Sequence, residues 1–288
     1  MHVFVTGATG WVGSSLVQQL IKAGHQVTGL ARSDDKAAQL AATGARVLQA
    51  SLDDLTALRS AAGVADAVVH TAFNHDFSKF AENSEQDRRV IEALGDALQG
   101  SQRPLLVTSG LSGLTRGAVE TDVPASAGPR KSDATARTLL QRGVRAAVVR
   151  LPPSVHGLGD HGFAPILIRL ARETGVSAYI GEGQNCWSGV YRHDAARVYR
   201  LALEHGVNEP VYHAVADEAV PFREIAEVIG RRLGLPVEAR GREHFGWFAM
   251  MAGADMAASS ARTRGLLGWE PEGPGLLMDL DQPGYYAD

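Results

Sequence analysis

The chain has 288 residues, enough for one large domain or one domain with a smaller lobe. Its 45% hydrophobic and 21% charged residues are those of an ordinary globular protein, and a formal net charge of −4 argues against nucleic acid or an anionic membrane as the main partner. Cys186 is the sole cysteine, which excludes an internal disulfide, and no run approaches the roughly 18–20 apolar residues of a membrane span. No basic segment precedes an apolar stretch at the start, so a soluble, cytoplasmic protein is expected.

In chain order, residues 1–150 alternate short apolar runs with longer amphipathic ones. Strands are predicted over 2–5, 26–30, 46–48, 67–70, 104–108 and 145–150, several nearly continuous in Val, Leu, Ala and Ile, as strands covered on both faces must be. Between them the pattern predicts helices over 12–22, 36–42, 55–61, 79–99 and 132–141. This alternation implies an α/β fold, a doubly wound parallel sheet of Rossmann type whose ligands lie beyond the carboxyl ends of the strands. After Pro152 and Pro153 the rhythm changes. A Gly-rich loop over 157–162 leads to helices near 164–173, 193–205 and 222–233 and to strands at 177–180 and 210–214. Residues 1–154 and 187–216 are expected to form the dinucleotide-binding domain, and 155–186 with 217–288 a smaller, mainly helical lobe covering the sheet's carboxyl edge.

The most informative motif is TGATGWVG at 6–13, which joins the first strand directly to the first helix. Gly7 permits a tight turn, Gly10 lets the backbone approach a pyrophosphate, and Gly13 allows close helix–strand contact; Thr9, Trp11 and Val12 complete the loop. The helix then offers unpaired N–H groups and the positive end of its dipole to phosphate. At the end of the second strand, where an NAD site usually puts a carboxylate for the ribose 2′-hydroxyl, stand Arg32 and Ser33. A guanidinium pairs with the extra 2′-phosphate, so NADP(H) is expected over NAD(H). Asp34 and Asp35 are expected to start the next helix.

With other segments, VTGATGWVGSSLV at 5–17 resembles the extended short-chain dehydrogenases/reductases, a superfamily that includes nucleotide-sugar epimerases and dehydratases. Leu52 and Asp53 look like the segment bordering the adenine, and Thr71 and Ala72, after His70, like the strand end lining the cofactor, followed by Phe73. RLPPSVHG at 150–157, with Pro152 and Val155, is similar to the loop beside the nicotinamide. VYRHDAAR at 190–197 and LGWEP at 267–271 look like later landmarks of the same family. The resemblance implies a Ser, a Tyr and a Lys at the active site. Ser109, beside Thr108 at the end of the fifth strand, matches the Ser, with Ser112 a second candidate. The Tyr position falls near Pro129 and the Lys position near Asp133, and no Tyr occurs between Met1 and Ala178. Lys131 lies on another helix face and cannot simply replace the lysine.

Without that dyad, alcohol oxidation and epimerisation lose their base, whereas reduction needs only hydride from the cofactor and a placed acid or water. An NADPH-dependent reductase of a small, partly apolar carbonyl or imine is therefore expected. The alternatives are a non-catalytic NADP(H)-binding redox sensor, or an isomerase or lyase on the same fold. His75, after the fourth strand with Asn74, and His156, after the sixth, lie at the right edge to supply a proton. Tyr191 is a third candidate, or a packing aromatic at the domain junction. Asn74 or Asp76 read equally as helix caps. Phe163, Trp187, Phe245 and Trp247 either wall an apolar pocket or pack the lobe. Arg130 and Lys131 could attract an anionic substrate, but a solvated helix start accounts for them, and Asp194 reads as a residue that positions the lobe. The remaining histidines show no metal-ligand spacing, so no metal is expected. The helices at 79–99 and 132–141 resemble the pair through which many relatives dimerise, a resemblance that implies a homodimer; packing against the sheet alone is the other reading.

Overall fold

The computed structural model describes residues 1–125 and 130–287. Pro129, which falls at the family's Tyr position, lies outside these described residues. The first half alternates β1 (His2–Thr6), α1 (Trp11–Lys22), β2 (Gln26–Ala31), α2 (Asp34–Ala41), β3 (Arg46–Gln49), α3 (Leu55–Val64), β4 (Ala67–His70), α4 (Phe80–Leu98), β5 (Leu105–Gly110), α5 (Ser132–Gln141) and β6 (Ala146–Leu151). The second half adds β7 (Ser154–His156), α6 (Phe163–Thr174), β8 (Ser177–Ile180), β9 (Cys186–Tyr191), α7 (Arg192–Glu204), β10 (Val211–His213), β11 (Asp217–Pro221), α8 (Phe222–Leu233) and β12 (Val237–Arg240). The short helices α9 (Ala249–Ala252), α10 (Ala261–Leu267) and α11 (Leu276–Leu280) follow.

Seven strands form one parallel sheet in the order β10-β6-β5-β4-β1-β2-β3. Parallel neighbours need a crossover between them, and the amphipathic runs supply helices for both faces. On one face α1 and α7 bury Leu16, Val17, Leu20, Val198 and Tyr199 against Val3, Val5 and Val69. On the other, α3, α4 and α5 bury Leu58, Ile91, Leu94 and Leu139 against Phe4, Val68 and Val107. Strand residues of both parities are thus covered, which explains the continuous Val and Leu runs. The strand order reverses at β1 and β4, opening a crevice at their carboxyl ends.

The later strands form two small sheets, β11-β9-β7 and β12-β8. β9 is shared between the two cores: Trp187 lies in the lobe with Phe222 and Phe248, whereas Val190 joins the main core. Beyond Asp217 the chain also carries strands the sequence pattern did not announce: β11 reads DEAVP, with no period-2 alternation, and β12 reads VEAR, an alternation only four residues long. Near its end the chain returns to the Rossmann domain, where Trp269 is fully buried beside α7. Its Nε1–H donates to Asp194 O at 3.1 Å, and the Asp194 carboxylate accepts the amides of Glu272 and Gly273. No described helix is long and apolar enough to cross a membrane.

Trp269→Ala should lower stability by about 3–5 kcal/mol, since it removes a fully buried indole and one hydrogen bond. Urea denaturation checks this; a loss under about 1 kcal/mol would show that the terminal segment is not anchored there.

Candidate coenzyme cleft and active site

The turn after β1 is built so that no side chain fits inside it. Gly7 has φ 67°, and a Cβ there would lie 2.6 Å from Ala72 N; a Cβ on Gly13 would lie 2.1 Å from Gly7 O. Thr71 holds this crossing together, its N–H and Oγ1–H both donating to Thr6 O, at 3.2 and 2.8 Å. Gly10 N–H closes the turn onto Gly7 O at 2.8 Å. Gly10 is also the N-cap of α1, and among the described residues no side chain caps this helix and no acid stands in its first turn. The leading N–H groups of Trp11, Val12 and Gly13 are thus left for an anion, flanked by half-buried Thr9. These residues fit the diphosphate of a dinucleotide, which the free N–H groups of this helix start would face.

At the adenosine end, Arg32 is exposed after β2, with no hydrogen bond or ion pair among the described residues. Ser33 caps α2, its Oγ accepting from Lys36 N–H at 3.4 Å, which accounts for Asp34 and Asp35 as the first helical residues. Leu52 packs against the second core, and Asp53 accepts from Gln86 Nε2 at 2.7 Å.

The reacting end lies beyond β4 and β5. Ser109 is buried at the end of β5, and Phe73 follows Ala72 after β4. Between these strand ends sits Arg130. Its guanidinium lies 4.0 Å from the centre of the Phe73 ring, one nitrogen donates to Thr108 O at 3.3 Å, and Nε donates to Ser132 Oγ at 3.0 Å. The sequence reading placed Arg130 on a solvated helix start. Instead it is half-buried, because Phe73 gives its flat cation an apolar face to stack on. Desolvation pulls its pKa down, but a guanidinium remains protonated. Behind it, Ser132 Oγ–H donates to Asp87 Oδ2 at 2.6 Å, Asp87 Oδ1 lies 3.0 Å from His70 Nε2, and His70 Nδ1 lies 2.7 Å from Thr6 Oγ1. Asp133, at the family's Lys position, accepts from the fully buried Arg150 Nε at 2.8 Å and is committed to that pair. Tyr199 Oη lies 2.8 Å from Thr108 Oγ1; burial pushes its pKa well up, so this phenol stays protonated near neutrality.

The proton-donor candidates fall into two groups. His75 is exposed beside the first, its ring edge-on to Phe73 at 5.3 Å; desolvation, then Arg130 and His161, lower its pKa. His156 is fully buried, with Nδ1 2.9 Å from Asp279 Oδ2; Tyr285 Oη–H donates to that same oxygen at 2.7 Å and accepts Gly157 N–H at 2.7 Å. Tyr191 sits with His156, ring centres 6.0 Å apart, on the wall of a pocket of about 380 Å³ shared with Arg192, Gly157 and Asp279. Pro152 is buried, and Val155 O accepts Trp11 Nε1–H at 2.6 Å, tying the loop after β6 to the phosphate turn. Asn74 and Asp76 both make local turn bonds, Asp76 capping the short turn Phe77–Lys79. Phe245 and Trp187 are buried in the lobe, while Trp247 is 61% exposed.

Comparison with known proteins agrees with this geometry. Residues 7–161 match the model of a family described as NAD(P)H-binding. The chain is 45% identical to an uncharacterized protein of Schizosaccharomyces pombe, over 99% of this chain and 100% of that one. It is 28% identical to the 2-alkyl-3-oxoalkanoate reductase of Stenotrophomonas maltophilia, over 82% and 77% of the two chains. In structure it is similar to the dTDP-glucose 4,6-dehydratase of Streptomyces venezuelae, solved with NAD bound: TM-score 0.77, 19% identity, 99% and 97% coverage. The chain belongs to the NAD(P)H-binding family, with the fold of the extended short-chain dehydrogenases/reductases.

The loop after β7 carries a titrating group. Asp160 Oδ1 accepts Gly162 N–H at 2.7 Å, and desolvation by burial raises the Asp160 pKa to about 6. The fold therefore favours its protonated form, a contribution present below the unfolded pKa of about 3.9 and lost as pH rises through about 6. Asp160→Asn keeps the acceptor but not the charge, so thermal melts should show the variant gaining on the native protein from pH 4 to pH 7. Parallel pH curves would contradict this.

Proposed function

We propose that this member of the NAD(P)H-binding family is an NADPH-dependent reductase of a carbonyl or imine. The observation that carries the reading is Arg130 between the ends of β4 and β5, bonded to Thr108 O, the residue before the buried Ser109. When bound, NADPH supplies the hydride. The Gly7–Gly13 turn and the uncapped start of α1 hold its diphosphate. Arg32 pairs with the 2′-phosphate; its free guanidinium and the lack of a carboxylate at the end of β2 support NADPH over NADH.

As a carbonyl carbon is reduced, negative charge develops on its oxygen. Arg130 and the Ser109 hydroxyl stabilise that charge where stacking and burial have already stripped water from the guanidinium. The proton that completes the alcohol comes from water, since the lowered pKa of His75 leaves its ring mainly neutral. The phenol bonded to Thr108, that of Tyr199, is held protonated and offers no base.

Arg130→Gln should lower kcat/KM for reduction by about 100-fold, the scale of losing one oxyanion donor, with NADPH affinity nearly unchanged. Arg32→Ala should weaken NADPH binding by about 10–100-fold and leave NADH binding nearly unchanged, as losing charged hydrogen bonds of about 1.5–3 kcal/mol implies. Tight NADPH binding without turnover on a broad carbonyl and imine panel would favour the non-catalytic sensor.

A further inference from the structure

A cavity of about 380 Å³ lies outside the residues assigned to the coenzyme turn and to the Arg130 site. Tyr191, Arg192 and His193 line it at the start of α7, together with Leu158, Pro274 and Asp279 of α11. The Arg192 guanidinium lies 4.2 Å from the centre of the Trp11 ring. That indole is itself fixed, since its Nε1–H donates to Val155 O at 2.6 Å and the His161 ring lies edge-on to it at 5.6 Å. Gly157 leaves room for the stack: a Cβ there would lie 3.3 Å from carbons of both the Trp11 and the Tyr191 ring.

The polar groups of this pocket are spent unevenly. Asp279 is fully engaged: Oδ2 accepts Tyr285 Oη–H at 2.7 Å and lies 2.9 Å from His156 Nδ1, and Oδ1 accepts from Gln282 Nε2 at 2.5 Å. His193 Nδ1 lies 2.7 Å from Ser15 Oγ; desolvation, then Arg192, lowers its pKa, so this ring is mainly neutral near pH 7. Arg192 is the opposite case. Its Nε is buried with no hydrogen-bond partner, and the guanidinium makes no ion pair among the described residues. Desolvation pulls its pKa down, yet a guanidinium stays protonated. Stacking on an indole serves one face of the cation and none of its N–H donors. A partly buried cation in that state costs free energy until an anion completes it.

We infer that this pocket binds an organic monocarboxylate, its carboxylate bonded to Arg192 and its apolar body against Leu158, Pro274 and the Tyr191 ring. One unspent cation beside an occupied carboxylate matches a single negative charge, whereas the second charge of a phosphate dianion would be repelled by Asp279. The volume is several times that of a small inorganic ion, so carbon fills the remainder. The Tyr191 hydroxyl, which has no bond among the described residues, offers the carboxylate a second donor. The site goes beyond the reductase reading and does not depend on it, since it needs neither hydride transfer nor Arg130.

Calorimetric titration of the NADPH-bound protein with hexanoate, hexan-1-ol and inorganic phosphate tests the assignment. Hexanoate should bind with a Kd of about 1 mM, and the alcohol and phosphate about tenfold more weakly or less. Arg192→Met, which keeps an apolar stem against Trp11, should weaken hexanoate about 10–100-fold, the scale of losing a charged hydrogen bond, while Arg192→Lys should retain part of the affinity. NADPH affinity should be unchanged in both variants, which also reports that they fold. Equal binding of hexanoate and hexan-1-ol, or unchanged hexanoate affinity in Arg192→Met, would overturn the carboxylate site. Hexanoate that binds only without coenzyme, or NADPH affinity that falls in Arg192→Met, would assign Arg192 to the coenzyme and overturn the separate pocket. Arg192-dependent hexanoate binding without turnover of any carbonyl would uphold the pocket and count only against the reductase reading.

Discussion

Thr71 donates two hydrogen bonds to a single carbonyl, Thr6 O, and so pins the end of β4 to the end of β1 at the point where the strand order reverses. The crossing is close enough that Gly7 and Gly13 have no room for a Cβ. The same lack of side chains leaves α1 without a cap, so a helix start sits at the mouth of the crevice with its N–H groups unspent. Structural tightness and anion affinity are therefore one property of this turn. A side chain at Gly7 or Gly13 would break the strand crossing from which that helix start projects.

The reacting end depends on a second constraint, a buried polar chain from Thr6 through His70, Asp87 and Ser132 to Arg130. It links β1, β4, α4 and α5, so the residue before α5 is fixed relative to the phosphate turn. Buried polar groups in such a chain are costly when unpaired, which is why each member has a partner and the geometry is specific. Asp133, the second residue of α5, is held separately by Arg150. Two neighbouring positions of one helix start thus do different work: 133 fastens the helix to β6, and 130 presents charge to the cleft.

Much of the first half was legible in the sequence, because strands buried on both faces must be apolar throughout and helices between them must be amphipathic. The glycine turn was equally plain, since its requirement is local. The lobe was harder to read. β7 and β12 are only three and four residues long and β11 lacks alternation, so their strand character comes from distant partners that a window of sequence does not contain. Arg130 was misjudged for the same reason. A cation ahead of a helix looks solvated until Phe73, from a strand end far back in the chain, is brought against it. His156 shows the converse, since its loop position suggested access to substrate, yet α11 and Tyr285 enclose it. Arg192 likewise meets Trp11 only in the fold, and no spacing in the chain announces it.

Amide hydrogen exchange along residues 7–15, with and without NADPH, tests the central claim most directly. The account predicts strong slowing at Trp11, Val12 and Gly13 on saturation, since their N–H groups would then bind the diphosphate. Unchanged exchange at this helix start with millimolar NADPH or NADH present would contradict it.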